Sequence, residues 1–192
     1  EFSEYLSNIK KKTKQTVDLL EFDLENEEEM KSKIQSLYKK NITLDVLVNN
    51  AGIPSGSIFE MTSLKNLKKI FEVNFFAQIR LTQLLIRLLK KCKSSSIINL
   101  GSISGLIADR GTLAYGSSKA ALMFATKVMA NELATYKIRV NAIAPNATKT
   151  KMLDKMDESA KKFLIEQSFL NRESLPNEVA DLVLYLASDK ST

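Results

Sequence analysis

Apolar residues recur along the chain in two rhythms: short, mostly apolar runs, and longer stripes in which the apolar positions fall three and four apart. The runs at Val17–Phe22, Leu44–Val48, Ser96–Leu100 and Ile138–Ala144 predict strands. The stripes predict helices. Residues 3–15 read as a charged helix. Asn26 with Glu29 makes a capping arrangement for the next helix, in which Met30, Ile34 and Leu37 share a face and Lys39, Lys40 and Asn41 supply the stop. Ser63 caps a helix bearing Leu64, Leu67, Ile70 and Phe71, and the pattern continues from Asn74 to Lys91 with apolar residues nearly all round. Such a segment is either deeply buried or faces a sheet and a second subunit at once. A second wide apolar helix is predicted over Tyr115–Thr135, a Met- and Lys-rich helical stretch over Thr150–Gln167, and a last helix over Pro176–Ala187.

Short apolar strands alternating with helices predict an α/β fold, a doubly wound parallel sheet of Rossmann-like type with both faces covered. Ligands of such sheets bind beyond the carboxyl ends of the strands. The turn-forming and polar positions Asp23, Asn50–Gly52, Ser102 and Pro145–Thr150 each follow a predicted strand there. No internal repeat, low-complexity segment or linker interrupts residues 1–192, so a single domain is expected.

Composition narrows the chemistry. The chain has no histidine, which excludes Ser-His-Asp and Cys-His catalysis and every His-containing metal site. The one cysteine, Cys92, excludes a Cys-rich zinc site and an internal disulfide. No metal is expected, and a single thiol agrees with a reducing, cytoplasmic setting. No apolar run approaches the roughly 20 residues of a membrane span. The net charge of +6 comes mostly from lysine clusters, several at predicted helix ends where cations complement the helix dipole. No aromatic residues interleave with them as a nucleic-acid stacking platform requires, so neither a nucleic-acid nor a membrane partner is expected.

General acid–base work therefore falls to Tyr, Lys, Asp or Glu. Tyr115 and Lys119 are four apart on a predicted helix and share a face, and a cation close to a phenol favours the phenolate. Ser102 would supply a hydroxyl donor to the same pocket. Taken singly, each feature has an ordinary reading as well: a solvated i, i+4 pair, a helix cap, plain turn residues.

Their order along the chain resembles the short-chain dehydrogenase/reductase family of NAD(P)-dependent oxidoreductases. Four signatures carry the resemblance: Asn49-Asn50-Ala51-Gly52, Asn74 in V-N-F-F-A, Ser102 in N-L-G-S-I-S-G, and Tyr115-Gly116-Ser117-Ser118-Lys119. Arg139-Val140-Asn141-Ala142-Ile143-Ala144-Pro145 fits the family's next strand, and Asp23-Leu24 occupies the place of its adenine-contacting pair. Within the family the chain is most similar to the 3-oxoacyl-[acyl-carrier-protein] reductase group.

The resemblance implies a catalytic set of Asn74, Ser102, Tyr115 and Lys119, with Tyr115 exchanging a proton with a carbonyl or alcohol oxygen while a nicotinamide carries the hydride. It implies NAD or NADP bound by Asp23, Leu24, Asn50, Ala51, Gly52, Tyr115, Lys119, Pro145, Thr148 and Thr150, and a small-molecule or acyl-carrier-linked carbonyl substrate. Lys119 would lower the Tyr115 pKa and hold the nicotinamide ribose, and Asn74 would fix a helix kink. A homodimer or homotetramer through Phe75–Lys91 and Tyr115–Thr135 is implied as well. The alternative is a truncated or non-catalytic relative that serves only as an association module.

Two departures stand out. No glycine-rich pyrophosphate turn follows any predicted strand, so the fold is expected to lack the family's first β-α-β unit and its last strand, and the 192 residues to be a fragment of a longer protein. In the family's strand order the Val17 run would then stand roughly 14 Å from the Leu44 run, too far to pair, so it must otherwise repack. Asn146 also replaces the glycine expected after Pro145, a position where tolerance of left-handed backbone angles would matter.

Overall fold

Three of the four predicted strands form one parallel sheet in the computed structural model, which describes residues 9, 11–13 and 16–191. They are β1 (Val46–Asn49), β2 (Ser95–Leu100) and β3 (Ile138–Ile143), in the spatial order β1-β2-β3. Val46 lies opposite Ser96, and Ser95 opposite Ile138. β2 is central and buried along its whole length, as a strand between two parallel neighbours with both faces covered must be.

Helices cover both faces. α1 (Glu27–Lys39) starts at Asn26, whose side chain accepts a hydrogen bond from Glu29 N at 3.1 Å. α2 (Leu64–Phe71) is capped by Ser63 and runs through a π-helical segment, Glu72–Phe76, into α3 (Ala77–Leu89). α4 (Leu113–Leu133) begins two residues before the predicted start and ends in a short 3₁₀ turn. Met30 and Ile34 of α1, Ala77, Leu85, Leu88 and Leu89 of α3, and Leu47, Ile97, Ile138 and Val140 of the sheet form the larger core, flanked by Met129 and Leu133 of α4. On the opposite face Ile98, Leu100 and Ile143 pack beneath Val179, Val183 and Leu186 of α7 (Pro176–Ala187). Neighbouring β2 residues Ile97 and Ile98 thus serve different layers, which is the period-2 alternation of a strand covered on both sides.

Two expectations are corrected. Val17–Phe22 forms no strand: the segment has no ladder partner, and Leu20, Phe22 and Leu24 instead lie as irregular chain against the larger core. An extended segment with no neighbour within about 4.8 Å leaves its backbone groups unpaired, whereas its apolar side chains gain from burial in any conformation. The stretch Thr150–Gln167 is two helices, α5 (Lys151–Asp154) and α6 (Glu158–Glu166), because Asp157 accepts from Ser159 N and starts a new helix. The expected charged helix over residues 3–15 falls mostly outside the described residues, though Ile9 and Lys11–Thr13 are helical. Among the described residues no helix is long and apolar enough to cross a membrane.

Candidate active site

A buried polar seam fixes the strand ends before any candidate side chain is placed. Asn49 and Asn99 are cross-strand partners, and Asn49 Nδ2 donates to Asn99 Oδ1 at 2.8 Å and to Thr82 Oγ1 of α3 at 3.0 Å. Asn99 Nδ2 donates to Thr126 Oγ1 of α4 at 2.8 Å. Two strands and two helices are thereby joined by side chains that are almost fully buried. Gln78 Nε2 adds a bond to Ala51 O at 2.6 Å, holding the turn after β1. In the sequence Asn49 and Asn99 figure only as members of signatures and neither has a role assigned, and Gln78, Thr82 and Thr126 are not singled out at all. The signal of those three is a polar residue on an otherwise apolar face, which by itself does not say what it meets.

The four residues expected to be catalytic converge beyond the ends of β1 and β2. Asn74 lies inside the π-helical segment with no exposed surface. Its Oδ1 accepts from Ile53 N at 2.8 Å, and its Nδ2 donates to Ile53 O at 3.0 Å and to Ser118 Oγ of α4 at 3.3 Å. The extra residue of a π-turn rotates the helix enough to aim this amide at the turn. Ser102 follows β2, accepts from Ser104 N at 3.2 Å, and has its hydroxyl near enough to the Tyr115 phenol to favour the phenolate. Tyr115 sits in the first turn of α4. Its neighbour Gly116 is required by close approach, because a Cβ there would lie 2.5 Å from Ser104 O. Lys119, one turn on and 3% exposed, donates from Nζ to Leu100 O at 2.6 Å.

The electrostatics differ from the expectation that Lys119 depresses the phenol. Burial pushes the Tyr115 phenol above its usual value, and the nearby Ser102 hydroxyl opposes that only in part. Lys119 Nζ stands 5.9 Å from the Tyr115 ring centroid, and burial lowers its own pKa to about 8. The desolvated ammonium is thus the more strongly perturbed partner. At neutral pH the phenol keeps its proton, while the amine titrates within reach of physiological conditions.

The remaining expected residues divide by place. A Cβ on Gly52 would lie 3.3 Å from Asn74 Oδ1 and 3.4 Å from Lys119 Nζ, so this turn presents bare backbone to both. Asn50 and Ala51 precede it on the surface. Pro145 O accepts from Ile103 N at 3.0 Å, which sets the loop after β3 beside Ser102. Thr148 and Thr150 lie in the same loop, but their hydroxyls donate to Asn146 O and Thr148 O, and Thr150 also caps α5. Asp23 and Leu24 are not brought to a strand end. Asp23 Oδ1 accepts from Glu25 N and its backbone N donates to Glu29, while Leu24 packs on the core, so both belong to the start of α1. Positive φ among described non-glycine residues occurs at Asn41, Lys137 and Asn171, so Asn146 occupies its turn without left-handed strain. Among the described residues no group of three or more His, Cys, Asp or Glu side chains could hold a metal ion.

Comparison with known proteins places this arrangement in context. A family model described as Enoyl-(Acyl carrier protein) reductase matches residues 2–192. The chain is 33% identical over 176 residues to the 3-oxoacyl-[acyl-carrier-protein] reductase FabG of Thermotoga maritima, covering 92% of this chain and 72% of that protein. It is 35% identical over 167 residues to an acetoacetyl-CoA reductase of an Acinetobacter species, covering 87% and 67%. It is 33% identical over 175 residues to a cyclopentanol dehydrogenase of a Comamonas species, covering 90% and 70%. A solved structure of a protein described as a gluconate dehydrogenase, from Agrobacterium tumefaciens, superposes with a TM-score of 0.91 at 21% identity, covering 98% of this chain and 75% of that one, and shows the shared fold.

Proposed function

Because the chain belongs to the short-chain dehydrogenase/reductase family, we propose that it is a nicotinamide-dependent oxidoreductase in which Tyr115 passes a proton to or from the oxygen of a carbonyl or secondary alcohol. One observation carries the role of Tyr115: its phenol feels the Ser102 hydroxyl, which favours the phenolate, while the Lys119 amine lies buried one helical turn behind and donates to Leu100 O. A developing alkoxide needs donors aimed at it from a preorganised, water-poor setting, and Ser102 and Tyr115 are two such donors. The raised phenol pKa keeps the Tyr115 Oη proton in place at neutral pH, ready for reduction.

Residues around the turn after β1 suit the nicotinamide half of NAD(P), which when bound supplies or accepts the hydride. Lys119 has three donors and spends one on Leu100 O, which leaves two for ribose hydroxyls. Gly52 admits a ligand against Lys119 and Asn74 without a side chain between them. Asn50, Ala51, Pro145, Thr148 and Thr150 border the same region. With a pKa of about 8, the Lys119 amine exchanges protons near neutrality and is suited to reload the Tyr115 oxygen after each transfer. Asn74 holds the turn against α4, and so sets the distance between Gly52 and Lys119.

For the substrate we favour a 3-oxoacyl thioester, the class named in the matched FabG proteins and in the acetoacetyl-CoA reductase. Exposed apolar residues on the loops flanking Tyr115 and α6, among them Leu106, Ile107, Phe163 and Leu170, would suit an acyl chain. The apolar groove between α3 and α4, with Phe124 68% exposed beside Val128 and Ile79, is where two copies would pair as a homodimer or half of a homotetramer. A monomeric mass by light scattering would reject that pairing.

The decisive test is Tyr115→Phe assayed with NAD(P)H and acetoacetyl-CoA. Turnover is expected to fall by a factor of about 10²–10⁴ with unchanged circular dichroism, and near-normal turnover would remove Tyr115 from the mechanism.

A further inference from the structure

The segment 150–173 leaves the sheet and returns to it at one point. Its base is pinned by backbone bonds, with Ser174 N donating to Ala147 O at 2.8 Å, Lys149 N donating to Ser174 O at 2.9 Å, and Thr148 bridging Ser174 in parallel. Beyond that base the attachment changes character. α6 has no fully buried residue, and Phe163 at its middle is half exposed. What ties its carboxyl-terminal half to the rest of the molecule is polar: Asn146 Nδ2 donates to Leu164 O at 3.2 Å, and Gln167 Nε2 donates to Asp109 Oδ1 at 3.3 Å. Leu164 and Gln167 are three residues apart, so both bonds fall on one side of the helix end. Asn146 belongs to the loop after β3. Asp109 belongs to the loop entering α4, where its carbonyl accepts from the Thr112 amide and hydroxyl at the start of the turn that carries Tyr115.

We propose that Asp109 and Asn146 are positioning residues, forming a two-point clasp that seats α6 against the loops after β2 and β3 and so fixes the cover of the site relative to Tyr115. The inference rests on the proposed reductase function and takes segment 150–173, which bears the exposed apolar Phe163 and Leu170, as the cover of its substrate site; it gives a purpose to an asparagine where the family resemblance leads one to expect glycine. A glycine there has no side chain to hold Leu164 O. The clasp is also incomplete. Asp109 Oδ2, Asn146 Oδ1 and Gln167 Oε1 are buried without a hydrogen-bond partner among the described residues, so the closed arrangement leaves acceptors unmet and holds more weakly than a fully satisfied network. Such a cover closes by its own contacts yet opens at modest cost, as entry and exit of a substrate demand.

Amide hydrogen exchange on the 192-residue protein tests this without requiring turnover, so a protein that proves inactive still gives a readable answer. In Asn146→Gly, Asn146→Asp and Asp109→Ala the amides of 158–167 are expected to exchange about 3- to 10-fold faster than in the parent. Asn146→Asp keeps the side-chain size but sets an acceptor against Leu164 O. Asp109→Asn keeps an oxygen for Gln167 and is expected to stay within about twofold of the parent, which separates a clasp from general loosening. Amides of β2 should not change in any variant. Unchanged α6 exchange in Asn146→Gly and Asp109→Ala overturns the proposal. So does acceleration in only one of those two, equal acceleration of β2, or an Asp109→Asn variant as fast as Asp109→Ala.

Discussion

The first two turns of α4 and the whole of α6 flank the same strand ends and are held in opposite ways. On α4, Gly116, Ser118 and Lys119 are buried, with Leu122 buried one turn further on, and Asn74, Leu100 and Ser104 approach from three other segments. On α6 no residue is fully buried, and single polar bonds carry much of the attachment. Proton transfer requires groups fixed to fractions of an ångström, which a helix wedged against a sheet supplies. Selecting and releasing a substrate requires a part that can yield. The difference teaches that the two tasks are divided between a packed helix and a lightly fastened one.

Truncating a core side chain should show the contrast most strongly. Leu122→Ala, at a position with no exposed surface one turn beyond Lys119, is expected to lose about 2–5 kcal/mol in urea or guanidinium unfolding. A loss below about 1 kcal/mol would mean that α4 is not the rigid partner. Next comes the polar seam. Asn99→Ala leaves Asn49 and Thr126 each short of one buried partner and should cost about 1–3 kcal/mol, read in the same assay.

The buried amine gives a pH-dependent test of intermediate size. With Lys119 at about 8 in the folded protein and near its usual 10.5 when unfolded, the unfolded chain binds more protons between those values, so stability must rise with pH there. The gain should be on the order of 2 kcal/mol between pH 7.5 and 10, and Lys119→Met should abolish it. Above pH 10 the raised Tyr115 phenol works the other way, since the unfolded phenol ionises first, and stability should turn down. A flat profile from pH 7.5 to 10 in the parent would contradict the desolvated amine. The smallest effect belongs to α6: Phe163→Ala, half exposed, should change unfolding stability by no more than about 0.5 kcal/mol, and a core-sized loss would erase the comparison.

Much of this was legible in the linear chain. Three strands, the caps at Asn26 and Ser63, the last helix and the shared face of Tyr115 and Lys119 follow from local rules: apolar runs, capping side chains and the four-residue pitch of a helix; the grouping of Asn74 with Ser102, Tyr115 and Lys119 came from the family resemblance. Residues acting on near neighbours, or in a familiar spacing, announce themselves. The failures share a cause as well. Val17–Phe22 has the composition of a strand, but a strand exists only where a second one lies alongside, and the described chain offers that segment a core to pack on and no ladder.

Tertiary structure alone decided the electrostatics and the supports. The spacing of Tyr115 and Lys119 says that the two side chains share a helix face, but not that burial would dominate both, lowering the amine and raising the phenol, because desolvation depends on what packs from other segments. The partners of Asn49, Gln78, Asn99, Asp109 and Asn146 lie between 18 and 58 residues away in the chain, and hydrogen bonds of that reach leave no periodic trace. The amino-acid order thus fixed which groups were available and which would share a face, while the folded sheet set their distance, dryness and charge.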